Sequence, residues 1–292
     1  MILGVDIGNY NLNSSTGLSI ESKVSRSNTL FSNSPTVELF RKKLIIGDGE
    51  FDTEYRKVKK ENYLQMLYIA ICLSTKENFN NIVVGLPISQ YKADKDELIN
   101  LIIQNSEMKG YINNQERKVI IQDIEVYPEG IGAVDSNFEG ILVDIGGRTT
   151  DICHIENMNG KKKLINPTSE SIGTLNLYTD FIKSINNDYS LDLKLDDAER
   201  ILRRGLKING VEVDISNSKM VFTDYVDKIV NKLKIEYSAN TLDIALLGGG
   251  SIILGRSIIK RLPSSYVVDN PIFANSYAFK KVGEQLWLRR WV

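Results

Sequence analysis

Three carboxylates and three glycine-rich turns carry the chemistry that this sequence offers. Asp-Ile-Gly occurs at residues 6–8, inside MILGVDIGNYNLN, and again at 144–146, inside GILVDIGGRTTDI. Each copy ends a short apolar strand, opens a tight turn and sets an acid at the strand tip. Gly8 lets the backbone turn and brings N–H groups near an anion, while Asn9, Tyr10 and Asn11 add backbone or side-chain donors. In the second turn Gly146 and Gly147 form a flexible loop and Thr149 and Thr150 supply hydroxyls. Arg148 is either an added cation or a solvated surface arginine. Asp6 and Asp144 cannot meet a phosphate favourably by themselves. Each can hold the water shell of a Mg²⁺ ion, which keeps several waters and bridges phosphates. A third turn, Gly248-Gly249-Gly250-Ser251, follows an apolar strand and offers bare backbone to an adenine or ribose. Glu129, in Tyr127-Pro128-Glu129-Gly130, falls at a strand-to-helix turn, from which a carboxylate can orient water toward a terminal phosphate.

Taken singly, these motifs read as a plain strand-turn, a flexible loop and an acid in a helix first turn. Two acid-bearing turns in one chain suggest a duplicated fold that grips one anionic ligand from both sides. A nucleotide with its metal fits that description.

The elements that position these residues follow from hydrophobic periodicity. Strands are expected at 2–7, 18–24, 28–33 and 41–51, the last with a turn at Gly47–Gly49. Residues 62–75 are apolar on nearly every face and read as a buried helix, followed by a buried strand at 81–89 that Gly85 and Pro87 end. An amphipathic helix is expected at 92–105, a strand at 118–129 and a short helix start at 130–137. The pattern then begins again: a strand into the second turn, a hairpin of TTDICHIEN with KKKLINP around Asn159–Gly160, three helices, a strand into the third turn, and a closing helix. This is an α/β chain with an internal architectural repeat. The lobes are expected at 1–136, completed by the C-terminal helix at about 274–292, and at 137–273.

Composition removes several classes of function. The chain has 292 residues, enough for two lobes, with 42% hydrophobic and 25% charged residues. A formal net charge of −1 predicts no broad basic face and disfavours direct DNA binding. Cys72 and Cys153 lack metal-ligand spacing and read as free thiols in a reducing cytoplasm. His154, the only histidine, lies in a strand-like run and reads as a core or sheet-edge residue. No signal peptide is expected in MILGVDIG, and no apolar run reaches the ~18 residues of a membrane span. A cytoplasmic protein is expected.

In their order and spacing, DIGNYN, YPEGIGA, DIGGRTTD, LLGGGS and PIFANSYAF resemble the phosphate-1, connect-1, phosphate-2, adenosine and connect-2 segments of the actin-like ATPase superfamily. The resemblance runs from Asp6 to about Gly283, and its wording is most similar to plasmid-borne bacterial proteins of the ParM/StbA type. It implies two RNase H-like lobes around a cleft that binds ATP or GTP with Mg²⁺. It places Asp6 and Asp144 at the metal's waters, Gly8 to Asn11 and Gly146 to Thr149 at the phosphates, and Glu129 at the attacking water. It places Gly248, Gly249 and Gly250 at the adenosine and Gly173 near the ribose. The helix LDDAERILRRG would cover the base, with Glu199 and Arg203 as the candidates there. One departure stands out: the lysine that many such chains carry after phosphate-1 is replaced by Asn13.

The resemblance implies nucleotide-dependent filaments that segregate plasmid DNA through a small DNA-binding adaptor. The alternatives are a small-molecule kinase of the same superfamily and a nucleotide-binding scaffold with weak hydrolysis. A chaperone-type ATPase would need a long substrate-binding β domain that does not fit this length. The WLRRWV tail reads either as a packed last helix or as an interface.

Overall fold

A computed structural model describes residues 1–26, 33–158 and 161–288. The first lobe opens with a hairpin, β1 (Ile2–Ile7) and β2 (Asn11–Ser14), that turns at the first Asp-Ile-Gly. Short strands follow: β3 (Ser19–Glu21), β4 (Lys23–Ser25), β5 (Thr36–Leu39), β6 (Lys42–Ile46) and β7 (Glu50–Phe51). A 3-10 turn at Lys57–Lys59 leads to α1 (Tyr63–Ser74), then β8 (Phe79–Leu86), α2 (Ile88–Gln104), β9 (Glu107–Ile112) and β10 (Gln115–Pro128). After a 3-10 crossing at Ile131–Ala133 the second lobe repeats the plan. It runs β11 (Gly140–Ile145), β12 (Thr150–Met158), β13 (Lys161–Glu170), α3 (Thr174–Tyr189), α4 (Asp197–Arg204), β14 (Leu206–Ile208), β15 (Val211–Val213), α5 (Met220–Glu236), β16 (Ile244–Leu247), α6 (Gly249–Arg261) and β17 (Ser265–Val267). The last helix, α7 (Ala274–Trp287), returns to the first lobe.

The repeat is visible in strand order. One sheet contains the run β3-β2-β1-β8-β10 and the other runs β13-β12-β11-β16-β17. In each, a hairpin is antiparallel, and its first strand is then joined by two parallel strands. The first sheet is extended past β10 by β9, β5, β6, β4 and β7.

Parallel strands must be covered on both faces, and the sequence meets this by alternation. Leu3, Val5 and Ile7 of β1 join a core with α1 and with Leu98 and Ile102 of α2. Gly4, between them, faces the other way. There α7 lies so close that a Cβ on Gly4 would sit 2.1 Å from Ser276 O. In the second lobe Ile141, Val143 and Ile145 pack under α3, α5 and α6, while Leu142 packs with Ile131, Val134 and Ala274 at the crossing between lobes.

Several boundaries depart from the sequence expectation. The helix expected at 92–105 starts at Ile88, because Pro87 serves as its N-cap and ends the preceding strand at Leu86. The hairpin β14–β15 was not anticipated; its Asn209-Gly210 turn has positive φ at both residues, which suits a tight hairpin. The run at 18–24 splits at Ser22, whose hydroxyl donates to Gly8 O at 2.8 Å and braces the first turn. Most of the strand expected at 28–33, the Asn159–Gly160 turn and the final Arg-Arg-Trp-Val lie outside the described residues. Cys72 and Cys153 are free and buried, and no described helix is long and apolar enough to cross a membrane.

Candidate functional site

The pleat decides which way the two acids face. Asp6 shares a strand face with Gly4, and Asp144 shares one with Leu142, so each looks toward the start of α7. Asn275 meets them there. Its Nδ2 donates to Asp144 Oδ2 at 3.0 Å and to Asp6 Oδ2 at 3.5 Å, and its Oδ1 accepts the Gly130 N–H at 2.7 Å. One amide thus ties both Asp-Ile-Gly strands to the crossing that follows Glu129.

The two turns are built alike. Gly8 N–H donates to Asn11 O at 2.9 Å, and Gly146 N–H donates to Thr149 O at 2.8 Å. Across the hairpins Asp6 faces Asn13, and Asp144 faces Asp151. The turns also touch, since a Cβ on Gly147 would lie 2.8 Å from Tyr10 Cβ. The third glycine turn closes the floor. Gly248 has φ +79, and a Cβ there would sit 2.4 Å from Asp144 Oδ1. Gly249 opens α6 beside it, so the positive end of that helix faces the acids' side of the cleft.

These elements enclose a cavity of about 260 Å³ between the lobes. Asp6 and the first turn, Gly8, Asn9, Tyr10 and Asn11, line it from one side. Asp144, Gly146, Gly147 and Thr149 line it from the other, with Glu129, Glu199, Gly248 and Gly249. Five expected residues do not line it, among them Thr150, whose hydroxyl donates to Ile172 O. Arg148 turns away, its Nη2 donating to Asp52 O at 2.8 Å. Gly173 lies behind the second turn, where a Cβ would be 2.4 Å from Gly147 O, and its neighbour Thr174 lines the cavity instead. Gly250 packs on Ile145. Arg203 is exposed in an adjoining hollow with Leu202, Lys219 and Phe222.

Tyr10 bridges from the first turn to the second lobe. Its hydroxyl donates to Glu199 Oε1 at 2.8 Å, and its ring lies 5.3 Å from Phe51 and 6.5 Å from Tyr178. Lys23 adds a second crossing to Asp196 at 2.7 Å.

Sequence reasoning missed five residues that the cleft brings into play. Asn275 lay within a quoted segment but carries no charge, and Asp151 ended a quoted motif whose glycines drew attention. Tyr178 lies within a helix and carries no local signal of its own. Lys57 and Lys60 sit in the polar run DTEYRKVKKEN, which has the composition of a solvated loop. Both are buried: Lys57 is 2% and Lys60 5% exposed. The Lys57 ammonium lies 3.1 Å from Asp6 Oδ1 and 2.5 Å from Glu129 Oε1. Lys60 Nζ donates to Asn9 Oδ1 at 2.7 Å.

Burial dominates the electrostatics. It pushes the Glu129 carboxyl up to about 7, against the pull of Lys57 and with Asp6 and Asp144 adding to the rise. It raises Asp144 to about 7, opposed by the Asn275 hydrogen bond and reinforced by Asp151 and Asp6. Asp151 rises to about 6 through burial and the nearby Glu129. Burial disfavours the charged form of Lys57 as well, but Glu129 and Asp6 outweigh it and hold the ammonium protonated. Lys60 is lowered to about 8 by burial and by Lys57.

Five acids, Asp6, Glu129, Asp144, Asp151 and Glu199, line the cavity with one lysine, Lys57, so acidic groups outnumber basic ones there. The donor set fits a hydrated cation better than a bare one. Among the described residues no group of three or more His, Cys, Asp or Glu side chains is arranged to hold a metal directly. Instead, carboxylates from two lobes flank the cavity, and the buried Asn13 Oδ1 accepts no hydrogen bond while Asn13 Nδ2 donates to Ile272 O at 3.2 Å. Such acceptors suit the waters of a Mg²⁺ ion.

Fold and cleft define an actin-like protein: two related lobes, paired acid-bearing turns and a glycine turn beneath them. The chain belongs to the actin-like ATPase superfamily. Residues 4–132 match the family of actin-like proteins, N-terminal domain, and residues 142–260 match the archaeal actin homologue MreB-like family, C-terminal. No match was found among curated proteins. Among solved structures the chain is similar to a 15-stranded ParM filament from Clostridium botulinum, at 18% identity and TM-score 0.82, over 97% of this chain and 99% of that one. It is similar to the archaeal actin homologue Ta0583 in complex with ADP, at 17% identity and TM-score 0.81, over 98% and 99%. It is also similar to the Alp12 filament structure, at 19% identity and TM-score 0.68, over 98% of each chain.

Proposed function

We propose that the chain binds a nucleoside triphosphate with Mg²⁺ in the interlobe cleft, hydrolyses it, and assembles into filaments governed by the nucleotide state. The observation that carries this reading is the convergence of Asp6, Asp144 and Glu129 on one cavity lined by both glycine turns. When bound, Mg²⁺ would neutralise charge on the phosphate oxygens during hydrolysis. Asp6 and Asp144 would hold its waters from the two lobes. The Gly8–Asn11 and Gly146–Thr149 turns present donors to the phosphates. Glu129, at the end of β10, holds the attacking water and takes its proton. Gly248 and Gly249 let the nucleoside lie against backbone. On this reading residues 1–136 and about 274–292 act as one body and 137–273 as the other.

Assembly is supported by likeness to the ParM and Alp12 filaments. Segregation of plasmid DNA through a small DNA-binding adaptor is the cellular role we infer, acting in the cytoplasm. A net charge of −1 agrees with contact to DNA through a partner. Phosphate release and light scattering with Mg²⁺ and either ATP or GTP, across protein concentration, test the proposal. Hydrolysis that rises above a critical concentration, with filaments by electron microscopy, supports it. Hydrolysis without assembly, stimulated by a small hydroxylic substrate, would replace it with a kinase. Nucleotide binding without turnover would leave a scaffold.

A further inference from the structure

We propose that Lys57 is the cleft's terminal-phosphate cation, delivered by a separate basic arm in place of the lysine that the first hairpin lacks, and that it shuttles between Glu129 and that phosphate. The inference rests on the nucleotide reading of the cleft. Asn13 has no charge and is committed to Ile272 O. Lys57 supplies a full charge from another direction, lining the same cavity between Asp6 and Glu129.

The arm is built to hold it there. Arg56, one residue before, grips the fully buried Asp94 of α2 with two guanidinium nitrogens. Gln90 of α2 accepts from Lys57 N at 3.3 Å and donates to Tyr55 O at 3.4 Å. Lys59 pairs with Glu97 at 2.6 Å, and Lys60 anchors the end on Asn9. Val58 is buried between them. A loop with no such role has no reason to bury two lysines and fix its flanks to α2 at three places.

The resting geometry has a second consequence. While Lys57 pairs with Glu129 Oε1 at 2.5 Å, the ammonium makes that carboxylate a weaker base toward water. A terminal phosphate carries more negative charge than Glu129 and competes for the ammonium. Transfer of Lys57 to the phosphate frees Glu129 only when a triphosphate is present. A diphosphate leaves the Lys57–Glu129 pair closed.

Calorimetry with the full chain, Mg²⁺ and either a non-hydrolysable triphosphate analogue or the diphosphate tests this. Lys57→Gln is expected to weaken the triphosphate analogue by about 10- to 100-fold, the range of one charge-assisted contact, and the diphosphate by less than about threefold. Lys57→Gln leaves two buried acids without their counter-charge, so Lys57→Gln/Glu129→Gln is measured beside it. In the double variant the same triphosphate-selective loss is expected relative to Glu129→Gln alone. Equal loss for both nucleotides, or no loss, in the double variant would overturn the proposal. Failure of the wild-type chain to bind either nucleotide would instead remove the nucleotide reading itself.

Discussion

Asn275 Nδ2 lies 3.0 Å from Asp144 Oδ2, so the first turn of the last helix reaches the acid of the opposite lobe. The same side chain accepts the Gly130 N–H, and both contacts are buried. Asn275→Ala removes both at once. It leaves a backbone donor unsatisfied and takes a donor from a buried carboxylate, each costing on the order of 1–3 kcal/mol. A loss of about 2–4 kcal/mol is expected in denaturant unfolding at neutral pH. An unchanged midpoint would show that the lobes are held without this amide.

Glu129→Gln keeps the shape of the side chain and removes its capacity to accept a proton. Steady-state phosphate release is expected to fall by about 10²- to 10³-fold, while nucleotide affinity and assembly with a triphosphate persist. A variant that hydrolyses at the wild-type rate would take Glu129 out of the chemistry.

The sequence made the outline of this cleft legible because glycine turns after apolar strands are local signals. Asp6, Asp144, Glu129 and Gly248 all sit at strand ends, where a few neighbouring residues decide position. Lys57 and Asn275 were not legible for the same reason in reverse. Lys57 becomes buried only through the Arg56–Asp94 and Gln90 contacts, which join segments more than thirty residues apart. Asn275 gains its partners across 145 residues to Gly130 and 131 residues to Asp144. Arg148 and Gly250 were placed in the site by adjacency in sequence and Gly173 by the resemblance, yet none of the three lines the cavity. The lobe plan was visible as an architectural repeat, whereas the β5–β9 extension and the β14–β15 hairpin lacked a periodic pattern long enough to show.

The raised carboxylates predict opposite pH trends for stability and for ligand binding. Glu129 and Asp144, near 7, and Asp151, near 6, keep their protons in the folded chain at pH values where an unfolded carboxyl, near 4, has lost them. The folded state therefore binds more protons across this window, and stability falls as pH rises from about 4.5 to 7. A hydrated Mg²⁺ needs Asp144 charged, so affinity for the metal with its nucleotide rises over the same range. Calorimetric titration with Mg²⁺ and nucleotide at pH 5.5, 6.5 and 7.5, beside unfolding curves without ligand, checks both slopes. Affinity that is flat with pH would mean that Asp144 takes no part in holding the ion.

Tyr10 and Glu199, which both line the cavity, join the lobes at 2.8 Å. Burial and the Glu199 carboxylate both keep the phenol protonated, so it remains a donor throughout the working pH range. The Tyr10 backbone and Cβ lie against Gly147 and its ring packs on Phe51, so the side chain has a steric role and a bonding role. Tyr10→Phe separates them, because the ring stays and the hydrogen bond goes. If the lobes separate to exchange nucleotide, this bond breaks, and its loss is worth about 1–2 kcal/mol to a charged acceptor near the surface. Release of a fluorescent nucleotide, followed by stopped flow with excess unlabelled competitor, is expected to quicken by about five- to twentyfold in Tyr10→Phe with little change in the association rate. Glu199→Gln keeps an acceptor at the same place and should quicken release less. Equal release rates in wild type and Tyr10→Phe would show that nucleotide leaves without breaking this contact.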